Sequence, residues 1–300
     1  MRYAGHLAAL ATSMCWTTNA VFFTLAGRRI GSPTVNVTRL VLALFAMVGA
    51  GLALFGTPLP LEAGRAAWGW LSLSGLIGFA LGDAVLFEAF VRLGPRLTTL
   101  IATVWPIFSA LLAWPIFGEG LDLTKLLAIG ITLGGLAWVV TGRSATATAD
   151  GEPHPHLASG LTLALVGALC QASGVVLSKL GMQGGVHPVQ ANGIRVVAGV
   201  IALLAWYGVK GELPDMARRL RDLRSSLYIT LGAITGPVLG VVFSLYAIRN
   251  THTGVASTLM SLAPVFLLPV SALVFKERIT LRTVVGTAIT FAGVVALFLA

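Results

Sequence analysis

The sequence predicts an all-α membrane protein of ten transmembrane helices, arranged as two five-helix repeats of opposite orientation. Three observations lead there. Apolar residues make up 56% of the chain and charged residues 10%, with a mean hydropathy of +0.89, whereas a soluble domain carries about 25% charged residues. The apolar residues fall into ten long runs. Residues 81–142 also lie on residues 239–300 without a gap, at a shift of 158 residues. Leu81, Gly82, Ala89, Pro106, Phe108, Phe117, Glu119, Leu123, Ile131, Thr132 and Gly135 meet identical residues at Leu239, Gly240, Ala247, Pro264, Phe266, Phe275, Glu277, Leu281, Ile289, Thr290 and Gly293. Chance seldom keeps prolines, glycines and a glutamate in register over so long a stretch, so the chain reads as an internal duplication.

A hydrocarbon core about 30 Å thick requires roughly 20 mostly apolar residues in a helix. The runs that meet this length are 5–25, 34–55, 67–91, 97–117, 122–141, 158–180, 188–208, 226–248, 254–275 and 281–300. Their long unalternated apolar character excludes barrel strands, which alternate. Residues 1–141 form the first repeat, 142–157 a linker and 158–300 the second repeat. Five spans is an odd number, so the second repeat enters the membrane upside down, as in many secondary transporters.

The linker is small, polar and aperiodic, as an exposed flexible connection would be. His154 and His156 within it could bind a metal, but loop histidines are more often solvated and no metal or other cofactor is expected. The connection at 211–224 places Leu213, Met216, Leu220, Leu223 and Leu227 on one helical face with arginines elsewhere. It reads either as a short helix in the membrane interface or as a solvated linker helix. Cys15 and Cys170 lie inside apolar runs and read as small hydrophobes.

The net charge of +9 would suggest nucleic acid in a soluble chain. Here the basic residues cluster between apolar runs, so they point to membrane-surface phosphates and topology, with no nucleic-acid partner. The side holding the N-terminus carries five Lys and Arg residues, and the opposite side carries thirteen, among them Arg28, Arg29, Arg92, Arg218, Arg219 and Arg282. By the positive-inside rule both termini lie outside the cytoplasm.

Ionisable residues inside apolar runs are functional candidates, because burying them in lipid is costly. Asn36-Val37-Thr38-Arg39 follows Pro33 in the second run, and Asn192-Gly193-Ile194-Arg195 follows Pro188 in the seventh. Asn and Arg three apart share a helical face. At a rise of ~1.5 Å per residue, Arg39, Asp83 and Glu88 come to similar depth on one side, which suggests an ion pair. Asp83 falls on Val241 and Glu88 on Tyr246 in the other half, leaving Arg195 without an equivalent acid and suited to a substrate carboxylate or phosphate. The alternatives are that both arginines snorkel to headgroups, and that Asp83 relays protons or sits at the interface. Trp16, Thr17, Thr18 and Asn19 in the first run, with Gln171, Ser173 and Ser178 in the sixth, would suit a polar cavity. Pro106 and Pro264 interrupt the fourth and ninth runs, where a mid-span proline frees a carbonyl four residues earlier. Gly130, Gly134 and Gly135 are assigned to helix packing, and Glu119 and Glu277 to capping the following helices.

The Trp105-Pro106-Ile107-Phe108 to Phe117-Gly118-Glu119 stretch and its repeat, Ala263-Pro264-Val265-Phe266 to Phe275-Lys276-Glu277, resemble the EamA domain of the drug/metabolite transporter superfamily, over nearly the whole chain. The resemblance implies two EamA repeats and a cavity lined by the first, third, sixth and eighth spans. It also implies a multi-pass transporter of the cell membrane, exporting small polar molecules such as amino acids or drugs, with protons as a coupling ion. Ten-span relatives are usually drawn with both termini cytoplasmic, against the charge count. The sequence lacks the HExxH, P-loop and Gly-x-Ser-x-Gly signatures; a membrane-embedded enzyme or a scaffold without transport is the rival class.

Overall fold

The computed structural model describes residues 4–117, 122–140, 156–250, 259–275 and 279–299, and every regular element among them is helical. Glu119, Glu277, His154 with most of the linker, and the start of the ninth run lie outside the described residues. Helix α1 (Ala4–Ile30) turns into α2 (Ser32–Phe55) through Gly31 alone. Its φ of 86° is open to glycine at no steric cost, and Pro33 then starts α2 where a missing N–H matters least.

The third run is a continuous rod with an irregular middle: α3 (Arg65–Gly75), a π-helical turn π1 (Leu76–Gly82) and α4 (Asp83–Leu93). The fourth run breaks between α5 (Pro95–Ala102) and α6 (Trp105–Phe117), and α7 (Leu123–Val140) completes the first half. The second half repeats the plan with α8 (Leu157–Met182), α9 (Pro188–Val209), the short α10 (Leu213–Arg219), α11 (Leu223–Ala233), π2 (Ile234–Gly240), α12 (Val241–Asn250), α13 (Ala263–Val274) and α14 (Leu281–Leu299). Among the described residues six helical rods are long and apolar enough to cross a membrane: α2, α3 to α4, α5 to α6, α8, α9 and α11 to α12. Shorter apolar helices in α7, α13 and α14, and the 27-residue α1, occupy the other runs.

The halves interleave. Helix α1 packs on α11, π2 and α12 of the other half, while α8 packs reciprocally on α3, π1 and α4; α2 lies against α9, and α7 against α14. The last pair follows from small residues in register. A Cβ on Gly135 would stand 2.5 Å from the Thr290 backbone nitrogen, and one on Gly293 2.5 Å from that of Thr132. These are equivalent positions of the two repeats, so the same contact is made twice. Gly130 and Gly134 face open space instead, which corrects the packing role assigned to them: four residues apart, they share a face turned away from α14.

Two other expectations need correction. The five-residue apolar face of 211–224 is not one helix, because the chain turns between α10 and α11. Met216 is buried with Leu213 against the core, whereas Leu223 and Leu227 are exposed on the following rod. The fourth and ninth runs are interrupted as expected, but their prolines do not free a carbonyl in mid-helix. The chain turns ahead of them, at Thr103-Val104 and Ser261-Leu262, and each proline is the second residue of a new helix, where a backbone N–H has no intrahelical partner to lose.

Connections that the sequence assigns to the more basic side are tied together. Arg29 Nε donates to Asp222 Oδ2 at 2.7 Å, Arg219 Nη1 to the Ile30 carbonyl at 3.1 Å and Arg282 Nε to the Trp138 carbonyl at 2.8 Å. Arg28 lies over the Phe275 ring. The hydrogen bond from Arg29, with that from the Ser225 hydroxyl, holds the Asp222 carboxyl down at about 2.

Candidate functional site

A cavity of about 160 Å³ lies between the halves, against the two π turns. A π turn carries one extra residue per turn and bonds i to i+5, an arrangement that recurs at functional sites. Here π1 and π2 fill the same seven positions of the two repeats, and in each half the asparagine of Asn-x-x-Arg braces the turn. Asn36 Nδ2 reaches the Phe79 carbonyl at 3.5 Å, and Asn192 Nδ2 donates to the Pro237 carbonyl at 2.7 Å. Phe79 and Pro237 are equivalent under the 158-residue shift, so these asparagines have the same structural task.

The arginines of the two motifs then diverge. In the first half Asn36 Oδ1 accepts from Arg39 Nε at 3.1 Å and from Arg39 Nη2 at 2.8 Å. Arg39 Nη2 also donates to Asp83 Oδ2, the buried ion pair of the site. The other oxygen, Asp83 Oδ1, accepts from Gln171 Nε2 at 2.8 Å. Arg39 further lies 4.6 Å from the Phe87 ring centroid, where a cation is attracted to the ring face. Both carboxylate oxygens therefore have donors, and the pair, 3% and 5% exposed, forms a closed network.

In the second half the network is open. Arg195 is 4% exposed and lines the cavity, 4.5 Å from the Phe79 centroid. It forms no hydrogen bond or ion pair among the described residues. Its Nε and the Asn192 Oδ1 atom, the counterparts of two bonded atoms in the first half, are both buried without a partner. Phe79 thus stands between two guanidinium groups, only one of which is bonded to a carboxylate.

Of the residues singled out in the sequence, Arg39, Asp83, Arg195, Trp16, Asn19 and Gln171 line the cavity, and Asn36 and Asn192 stand behind the two arginines. Glu88 does not join them. It accepts from Ser32 Oγ at 2.6 Å and Arg92 Nε at 2.9 Å, because five residues along a helix from Asp83 it is turned roughly 140° away. The hydroxyls of Thr17, Thr18, Ser173 and Ser178 bond to backbone carbonyls; Thr17 and Ser178 also tie helices together, through the Ala263 carbonyl and the Ser74 hydroxyl. Cys170 is a free, buried thiol, packed where a Cβ on Gly82 would lie 2.7 Å from its own Cβ. His156 accepts from the Gly160 N–H through its carbonyl at the start of α8. No cluster of three or more His, Cys, Asp or Glu occurs among the described residues.

Phe79, Phe87 and Thr99 lay outside the sequence expectation. Phe79 and Phe87 supply the aromatic faces under the arginines. Thr99 lines the cavity with its hydroxyl buried and unpartnered. The cavity also meets both helix breaks, at Thr103 and Trp105 on one side and Ser261 and Ala263 on the other. The repeat register could have pointed to these, since Thr103 and Ser261 are equivalent, as are Trp105 and Ala263.

Residues 3–141 and 158–299 each match the family described as the EamA-like transporter family. The chain is 29% identical over 265 residues to a WAT1-related chloroplastic protein of Arabidopsis thaliana, an alignment covering 84% of this chain and 61% of that longer one. It is 24% identical over 295 residues to an uncharacterized transporter of Archaeoglobus fulgidus, covering 98% of this chain and 97% of the relative. A solved crystal structure superposes with a TM-score of 0.63, over 99% of this chain and 96% of its own, at 18% identity. That last likeness concerns the fold alone.

Proposed function

Since the chain belongs to the EamA-like transporter family, of the drug/metabolite transporter type, we propose that it is a secondary transporter that exports small polar organic metabolites, such as amino acids or drugs. It works by alternating access at the central cavity. The observation that carries this reading is the placement of that cavity. It lies between two reciprocally packed halves, is bordered by a broken helix from each, and holds buried charges that a purely structural core would be better without. Discontinuous helices meeting near the midplane at a repeat interface are the usual form of a transporter binding site. In this reading the repeats are 1–141 and 158–300 joined by 142–157, with ten spans in the cell membrane. Asp83 is the group in the cavity that would carry a coupled proton, and loading it requires Arg39 and Gln171 to release it.

Purified protein in proteoliposomes tests the proposal. Counterflow of at least one small polar metabolite, abolished by bulky substitution of Gly236 beside Asn19 in the cavity wall, is the expected result. Turnover of a lipid substrate without flux of any solute would replace transport by enzymatic chemistry. The excess of Lys and Arg on the side opposite the N-terminus supports termini outside the cytoplasm. Alkaline phosphatase fused after Ala300 should then be active, and a silent fusion paired with an active cytoplasmic reporter at the same point would reverse the orientation.

A further inference from the structure

We infer that the cavity recognises organic monoanions with a small flat apolar body, held by Arg195, rather than zwitterions or cations. This rests on the reading of the cavity as the transport site and narrows its substrate class, setting aside the zwitterionic amino acids named there.

Charge balance is the first ground. Arg39 and Asp83 neutralise one another, and Arg195 leaves the lining of the cavity with one positive charge in excess among the described residues. An uncompensated charge in a dry interior is costly, and one carboxylate or comparable anion relieves it. Donor geometry is the second. Arg195 has its full fork of N–H groups uncommitted, and a planar fork suits a two-oxygen anion. Its counterpart Arg39 spends the same groups on Asn36 and Asp83.

The lack of a cation site among the described residues is the third ground. Asp83 is the carboxylate among the described lining residues, and its charge is already matched by Arg39, while Gln171 bonds its other oxygen, so among these residues a substrate ammonium finds no unmatched negative charge. The rest of the wall is largely apolar and includes the flat faces of Trp16, Phe23, Phe79, Phe90 and Trp105. Volume agrees with this chemistry: a cavity of about 150 Å³ admits one benzene ring, and this one measures about 160 Å³.

Benzoate, benzyl alcohol and benzylamine share a ring and differ in charge, so they serve as probes of detergent-purified full-length protein. Binding is read by calorimetry and by quenching of tryptophan fluorescence, since Trp16 and Trp105 line the cavity. Benzoate is expected to bind at least tenfold more tightly than the other two. Arg195→Gln should lose that preference, and Arg195→Lys, which keeps charge but not the fork, should retain part of it. Equal affinities for the three probes on wild-type protein would overturn the inference without recourse to any variant, as would benzoate binding within twofold of wild type in a folded Arg195→Gln protein. The two readings fail separately. Flux of amines or neutral solutes with no benzoate binding leaves transport standing and removes the anion site. Arg195-dependent benzoate binding with no flux of benzenesulfonate or any other solute in proteoliposomes keeps the site and removes transport.

Discussion

Replacing Asp83 with asparagine asks what the buried pair does. Breaking a fully buried ion pair by removing one partner costs about 3–5 kcal/mol, and both groups here are nearly inaccessible. Two features place the expected loss near the lower end. Arg39 keeps its two bonds to Asn36 and its place over Phe87, and the asparagine carbonyl can still accept from it. About 3 kcal/mol, at roughly 2 °C per kcal/mol for a chain of this size, predicts a fall of roughly 6 °C in the detergent Tm. Asp83→Leu, which offers no acceptor, should fall further. The double variant Arg39→Met, Asp83→Leu should recover much of the loss, because an apolar pair of similar volume is often no worse than a buried ion pair. A Tm unchanged in both Asp83 variants, or a double variant that loses the sum of the separate Arg39→Met and Asp83→Leu losses, would refute this account. If Asp83 carries a coupled proton, Asp83→Asn should also abolish pH-driven accumulation while sparing substrate exchange.

The two asparagines should be unequal. Asn36→Ala removes a brace of π1 and two bonds to Arg39, whereas Asn192→Ala removes the bond to Pro237 and a weak one to Met47 Sδ; at ~1 kcal/mol per hydrogen bond the first is expected to cost more, Asn192 Oδ1 having no partner to lose, and denaturation in mixed detergent compares them. Gly135→Ala and Gly293→Ala should each lose about 1–3 kcal/mol by overpacking α7 against α14, while Gly130→Ala and Gly134→Ala should raise the Tm slightly, alanine being the better helix former by about 1 kcal/mol. For the exposed Arg29–Asp222 pair, the folded carboxyl at about 2 lies below its ordinary 3.8. Any contribution is therefore present above pH 4 and lost as pH falls toward 2, so the Tm difference between wild type and Asp222→Asn should be constant from pH 5 to 8 and shrink in acid.

Much of this architecture is written in the one-dimensional pattern, and the site only in part. The duplication and the apolar runs follow from hydropathy and from residues kept in register. Arg39 and Asp83 could be paired from rise per residue alone, because both lie on regular stretches entered from the same side. Depth does not give azimuth, which is why Glu88, at similar depth, faces Ser32 and Arg92 instead. The π turns escaped because nothing in composition distinguishes i→i+5 from i→i+4 bonding. Yet Gly78 and Gly82 recur as Gly236 and Gly240, a spacing that the repeat alignment displays. Gln171 came from the polar content of the sixth run, but its partner is set by how α8 crosses π1, a contact between halves that no local pattern encodes. The opening of the second Asn-x-x-Arg unit follows from Val241 standing where the first half has Asp83, and that substitution is visible in the sequence.

The reciprocal packing of α1 and α8 also bears on how the chain is made. Thr12 meets the Gly240 carbonyl and Thr17 the Ala263 carbonyl, across 228 and 246 residues, so α1 waits through the synthesis of most of the second half before these partners exist. Long sequence separation slows folding, and during that wait the small and hydroxylated face of α1 stands in the bilayer uncovered. Helix α1 also packs on α2 and α4 of its own half, but neither half supplies all the partners of its first helix. Each should be short-lived when expressed alone and rescued by co-expression of the other, which makes the assembled chain, rather than the repeat, the unit that a cell's quality control inspects.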